Sequence, residues 1–113
     1  ISRSGASSVA EILAVGRPSI LVPYPHAVDD HQSANAHAVA EVGAGWMMNQ
    51  SIFTPENLAT RLSELMNADG LLDRAAACAR RAGFADAASR LADMVEQLVP
   101  VNGNGNQKGR AAA

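Results

Sequence analysis

Arg3-Ser4-Gly5-Ala6-Ser7-Ser8-Val9-Ala10-Glu11, then Gly16-Arg17-Pro18, then Ser19-Ile20-Leu21-Val22-Pro23-Tyr24-Pro25-His26 and Asp29-Asp30-His31-Gln32-Ser33-Ala34-Asn35 decide the fold. From Gly5 to Val15 the apolar positions Val9, Ile12 and Leu13 recur at helical spacing, and Gly16 stands where a C-terminal helix cap belongs. Ser19 to Tyr24 is short, partly β-branched and apolar on both faces, as expected of a parallel strand covered by helices, and Pro23 ends its ladder. Asp29 or Asp30 then caps a second helix running to about Val42. Small polar residues gather at both helix starts. Ligands of α/β sheets sit outside the carboxyl ends of the strands, where unpaired N–H groups at helix N-termini carry about half a positive charge. The two polar clusters are therefore expected to face one crevice.

Outward from this stretch the pattern stays α/β. Ile1-Ser2 reads as the last residues of a strand, and Trp46-Met47-Met48, after the helix-breaking Gly43-Ala44-Gly45, as another short strand. Thr54-Pro55-Glu56 combines a capping hydroxyl, Pro at the first helical position and an acid in the first turn; Leu58, Leu62, Leu65 and Met66 then form an apolar stripe. Asp69-Gly70 turns the chain into a helix from about Leu71 to Arg81, closed by Arg80, Arg81 and Gly83. A last helix from about Asp86 to Val99 is expected to turn Leu91, Met94, Val95 and Leu98 inward. Residues 1–99 thus read as one partial domain, and 100–113, rich in Asn and Gly with little to bury, as a disordered tail. Two strands and a stub are too few for a self-sufficient doubly wound sheet, so the chain reads as a fragment.

Composition excludes several function classes. The 113 residues carry a net charge of -2 with no basic stripe, so there is no electrostatic footprint for nucleic acid. Cys78 is the single cysteine, which rules out an internal disulfide and a multi-cysteine metal site. The apolar run Ile20 to Tyr24 is far shorter than the roughly 20 residues of a membrane-spanning helix. His26, His31 and His37 lack metal-ligand spacing, and no Gly-x-Ser-x-Gly elbow or Gly-Lys-Ser/Thr phosphate loop occurs. No metal or other cofactor is expected.

The candidate site lies at the two helix starts. Ser4, Gly5, Ala6, Ser7 and Ser8 are small, so a phosphate can approach the N–H groups closely, although many helices begin this way and bind nothing. Glu11, about one and a half turns in, suits the two hydroxyls of a ribose; Ser8-Val9-Ala10-Glu11 equally fits a capping box that binds only backbone. Gln32 and Asn35 share a helix face and suit sugar hydroxyls, while Gln32 also fits a capping box with Asp29.

Taken together, Arg3-Ser4-Gly5-Ala6, Glu11, Gly16-Arg17-Pro18, Val22-Pro23-Tyr24-Pro25-His26 and Asp30-His31-Gln32-Ser33-Ala34-Asn35 resemble the C-terminal domain of the MurG-type glycosyltransferases over roughly residues 1–99. The resemblance implies the Rossmann-like, donor-binding half of a two-domain GT-B fold, truncated on its N-terminal side. It implies transfer of N-acetylglucosamine from UDP to lipid I, giving lipid II, by an inverting and metal-independent reaction. By this resemblance the UDP-N-acetylglucosamine site runs over Ala6, Ser7, Ser8, Val9, Ala10 and Glu11, with diphosphate and sugar along the helix mouth and ribose on Glu11. Gln32, with Asn35 close by, would read the sugar; His31 stands where some relatives carry Gln, and its role stays open. The acceptor site, the catalytic base and a peripheral contact with the cytoplasmic face of the plasma membrane are implied for an absent N-terminal domain. Two alternatives stand beside this: a nucleotide-sugar-binding module working with a separate acceptor-binding chain, and a UDP-sugar epimerase, for which no additional acid/base pair is found.

Overall fold

The computed structural model describes residues 1–26 and 31–98. Its elements run α1 (Ala6–Val15), β1 (Ser19–Leu21), α2 (His31–Glu41), β2 (Gly45–Met47), a 3-10 turn (Gln50–Ile52), α3 (Pro55–Asn67) and α4 (Leu71–Leu98). β1 and β2 pair in parallel, with Ser19 opposite Gly45 and Leu21 opposite Met47. On the other edge of β1, Ser2 bridges Leu21 in parallel: Ser2 N–H donates to Ile20 O at 3.0 Å and Val22 N–H to Ser2 O at 2.8 Å. The strand stub expected at Ile1-Ser2 is therefore real, and the described sheet order is stub, β1, β2.

β1 is shorter than the expected Ser19–Tyr24. Val22 keeps one bond to the stub, but Pro23 has no N–H, and Tyr24 N–H turns away to the Gln32 side chain at 2.8 Å. Alternation along the strands feeds two cores, one on each face. Leu21 and Met47 point to the face covered by α1, α2 and α4, where Ala36, Val39, Ala44 and Ala79 are buried and Val9, Ile12 and Leu13 pack against them. Ile20, Trp46 and Met48 point to the other face, against Leu58, Leu62 and Leu65 of α3 and Leu71 and Leu72 of α4. Fully burying a Leu or Ile side chain contributes about 1.5–3 kcal/mol, so these short strands are held mainly by what covers them.

The helix ends follow local chemistry. Gly16 closes α1 at φ 73°, donating to Ile12 O at 3.1 Å and Leu13 O at 3.0 Å. Thr54 caps α3, its Oγ1 accepting from Asn57 N–H at 3.2 Å, with Pro55 at the first position. Asp29, Asp30, Val99 and the tail lie outside the described residues, so the expected cap of α2 and the disordered tail are not among the observations.

Three expectations are overturned. Leu71 to Leu98 is one helix of 28 residues, and Gly83 lies inside it rather than closing it. Ala75, Ala79 and Gly83, four residues apart, form a buried strip against α1; a Cβ at Gly83 would run into the backbone of Leu13. Gly83 thus serves close helix packing. Beyond it α4 leaves the core, so Leu91, Met94, Val95 and Leu98 are exposed by 52–80% instead of buried. Met66 on α3 is likewise exposed, because the stripe that meets the sheet ends at Leu65.

Candidate functional site

Main-chain bonding at the start of α1 leaves donors open. The first bond of the helical ladder runs from Val9 N–H to Gly5 O at 3.0 Å, so the N–H groups of Ala6, Ser7 and Ser8 precede it and face outward. Gly5 is the N-cap and supplies no side-chain cap. This also removes the capping-box reading of Glu11. Ser8 lies inside the helix rather than at its cap, and among the described residues the exposed Glu11 carboxylate accepts no hydrogen bond. Glu11 and Ser8 instead line a crevice of about 340 Å³ along the flank of α1, with Ile1, Ser2, Arg17 and Ser19. The Ser19 hydroxyl is buried there without a hydrogen-bond partner.

The start of α2 is locked to the start of α1 through Ser4. The Ser4 hydroxyl, fully buried, donates to Gln32 O at 2.7 Å, and Asn35 Nδ2 donates to Ser4 O at 3.0 Å. Ser4 therefore faces inward and is not one of the hydroxyls lining the helix mouth, contrary to expectation. Gln32 Oε1 accepts from Tyr24 N–H, which fixes the turn out of β1. Each carboxamide is committed at one end and open at the other: Gln32 keeps its NH2 donors and Asn35 its Oδ1 acceptor. Val9 packs its side chain against the core and commits its N–H to the ladder, and Ala10 is half-buried, so these two shape the helix instead of offering polar groups.

Arg3 sits at the same end of the sheet. Its Nη1 donates to Val22 O and Pro23 O, each at 3.4 Å, and its guanidinium lies 5.4 Å from the centre of the Tyr24 ring, which meets His26 edge-on. The two helix starts are thus brought together as expected. A second crevice, of about 420 Å³, opens between Pro23, Pro25 and Ser33 on one side and Asn49, Gln50 and Ser51 on the other. Ser2 and Ser19 around Glu11, and Asn49 to Ser51 here, carry no motif in the sequence. Only the pairing of the strands places them. Among the described residues no three His, Cys, Asp or Glu side chains gather as a metal site, and no helix is long and apolar enough to cross a membrane.

Fold and site together define a parallel α/β domain with a polar, open face at the carboxyl ends of its strands. The chain belongs to the glycosyltransferase family 28 C-terminal domain, whose sequence model matches residues 1–91. It is 62% identical over 95 residues to a UDP-N-acetylglucosamine–N-acetylmuramyl-(pentapeptide) pyrophosphoryl-undecaprenol N-acetylglucosamine transferase of Rhodospirillum rubrum, covering 84% of this chain and 24% of that protein. It is 55% identical over 100 residues to the transferase of the same name from Paramagnetospirillum magneticum, covering 88% of this chain and 27% of that protein. The crystal structure of MurG from Acinetobacter baumannii superposes with a TM-score of 0.63 at 44% identity, over 70% of this chain and 22% of that one. The chain spans about a quarter of the length of the curated relatives it matches.

Proposed function

We propose that this chain is the donor-binding part of an inverting hexosyltransferase that moves N-acetylglucosamine from UDP to lipid I, forming the peptidoglycan precursor lipid II. The observation that carries the reading is the Glu11 carboxylate, exposed and without a bond in the helix, in a crevice it shares with Ser8 beside the open N–H groups of α1. In this reading Glu11 accepts from the two ribose hydroxyls. The N–H groups of Ala6, Ser7 and Ser8, with the helix dipole behind them, hold the diphosphate and stabilise the charge that grows on it as the sugar leaves. Val9 and Ala10 give that helix its close, apolar contour. The Gln32 NH2 group donates to the sugar and Asn35 Oδ1 accepts from it.

No catalytic base is assigned to this chain. The base, the lipid I site and a peripheral contact with the cytoplasmic face of the plasma membrane belong, in this proposal, to a second domain of a GT-B architecture. The donor assignment is tested by calorimetric titration of the chain with UDP and with 2′-deoxy-UDP. UDP should bind more tightly, and equal affinities would remove Glu11 as the ribose ligand. The transfer itself is tested by joining this chain to the preceding three-quarters of the R. rubrum relative, in place of the segment it matches. Release of UDP that depends on a lipid-linked acceptor supports the reading; release without acceptor argues against it.

A further inference from the structure

Two polar side chains are buried among the described residues, Ser19 and Ser4, and Ser4 is wholly enclosed. The Ser19 hydroxyl has no hydrogen-bond partner. Ser4 is tied twice to α2: its hydroxyl donates to Gln32 O at 2.7 Å, and its carbonyl accepts from Asn35 Nδ2 at 3.0 Å. Both bonds are short, and hydrogen bonds weaken steeply when distance or angle changes. The apolar contact between the same two helices, through Val9 and Ile12 on α1 and Ala36 and Val39 on α2, has no such directionality. Packing holds the helices together, and Ser4 fixes where one start lies relative to the other.

We propose that Ser4 is a positioning residue for the donor: it sets the separation between the open N–H groups of α1 and the sugar-reading carboxamide of Gln32. On the α1 side only Gly5 stands between Ser4 and the first helical residue, Ala6. Gly5 supplies no side-chain cap, and nothing lies within 4 Å of where its Cβ would be, so Ser4 is the last anchored residue before those N–H groups. On the α2 side the Ser4 hydroxyl holds the main chain of Gln32, while Tyr24 N–H holds its Oε1 at 2.8 Å. Gln32 is thereby fixed at its backbone and at one end of its carboxamide, and the two contacts together determine where its NH2 group lies.

The ligand explains why such a clasp is needed, and this step rests on the donor reading above. In a nucleotide sugar the second phosphate and the sugar share one oxygen, so the groups that bind them must stand at one separation. A misplacement of about 1 Å can cost on the order of 100-fold in rate. Ser4 itself is fully buried and touches neither part of the donor, so it acts on the sugar only through Gln32.

The test is calorimetric titration of the full chain with UDP, UDP-N-acetylglucosamine and UDP-glucose, on the parent, Ser4→Ala, Gln32→Glu and the double variant. Ser4→Ala should bind UDP as the parent does. It should lose about 3- to 10-fold of the preference for UDP-N-acetylglucosamine over UDP-glucose, the range for one neutral hydrogen bond. In the Gln32→Glu background the same substitution should change that preference by less than about twofold, because residues that act as one unit are not additive. Thr54→Ala removes the cap of α3 and none of these contacts, so it should lower stability and leave the preference unchanged. If Ser4→Ala does not fold, Ser4→Cys, which puts a weaker donor at the same place, is read in the same way. The proposal is overturned if the Ser4 variant keeps the full preference, if it loses affinity for all three ligands equally, if its effect adds in full to that of Gln32→Glu, or if Thr54→Ala lowers the preference as far. A parent chain that binds no UDP overturns the donor reading, and this proposal with it; a parent that binds and discriminates while the variants behave alike overturns this proposal alone.

Discussion

At the scale of single residues, Glu11 and Gln32 show how a structure separates roles that a sequence leaves superposed. Glu11 closes no capping box, because the helix begins before Ser8. Glu11→Ala should therefore change stability by no more than about 0.5 kcal/mol. It should cost on the order of 2–4 kcal/mol in UDP affinity if two ribose hydroxyls donate to the carboxylate. Urea denaturation and calorimetry on the same protein measure the two numbers, and a stability loss with affinity intact would reverse the assignment. Gln32 has both roles at once, since its Oε1 holds Tyr24 N–H. Gln32→Glu keeps that acceptor and removes the NH2 donors, so the fold should persist. Discrimination between UDP-N-acetylglucosamine and UDP-glucose should fall by about 1–3 kcal/mol, as for a polar contact left unmatched. Unchanged discrimination would leave Gln32 with the turn alone.

At the scale of elements, the contact between α1 and α4 is set by the strip Ala75, Ala79 and Gly83. Gly83→Ala adds a methyl group where the Leu13 backbone already lies. The gain in helix propensity, about 0.5–1 kcal/mol, is opposed by an overpacking cost of about 1–3 kcal/mol. Because the obstruction is backbone, the variant should be less stable than the parent in urea, and a more stable one would mean that α1 can slide away. Thr54→Ala should cost about 1 kcal/mol through the lost cap of α3, read from the same denaturation curves.

At the scale of the whole molecule, the second half of α4 carries Leu91, Met94, Val95 and Leu98 into solvent along one face. A contiguous apolar face of this kind drives association. Sedimentation of the isolated chain should show mass rising with concentration. Leu91→Lys with Leu98→Lys should suppress this and shift unfolding by no more than about 0.5 kcal/mol per site, since neither side chain is buried. Mass independent of concentration in the parent would show that this face does not associate by itself.

The sequence by itself determined the order of helices and strands as far as Leu71, the Gly16 and Thr54 caps, the apolar residues of the strands and the resemblance carried by Arg3 to Asn35. These rest on contacts between neighbours in the chain, which spacing and residue type report directly. Only the tertiary structure decided what Gly83 does, because a glycine beside Arg80 and Arg81 looks like a helix end until α1 is seen pressing against it. Burial of Leu91 to Leu98 was misjudged for the same reason: helical periodicity identifies an apolar face, but whether another element covers it depends on distant parts of the chain. Ser4 turned inward, and Gln32 and Asn35 each half-committed to the backbone, are likewise consequences of two helix starts meeting across a sheet. Asn49 to Ser51 face Pro23 and Pro25 because β2 lies beside β1 in a fixed register. No local pattern encodes that register; it is selected by which side chains fill the two cores.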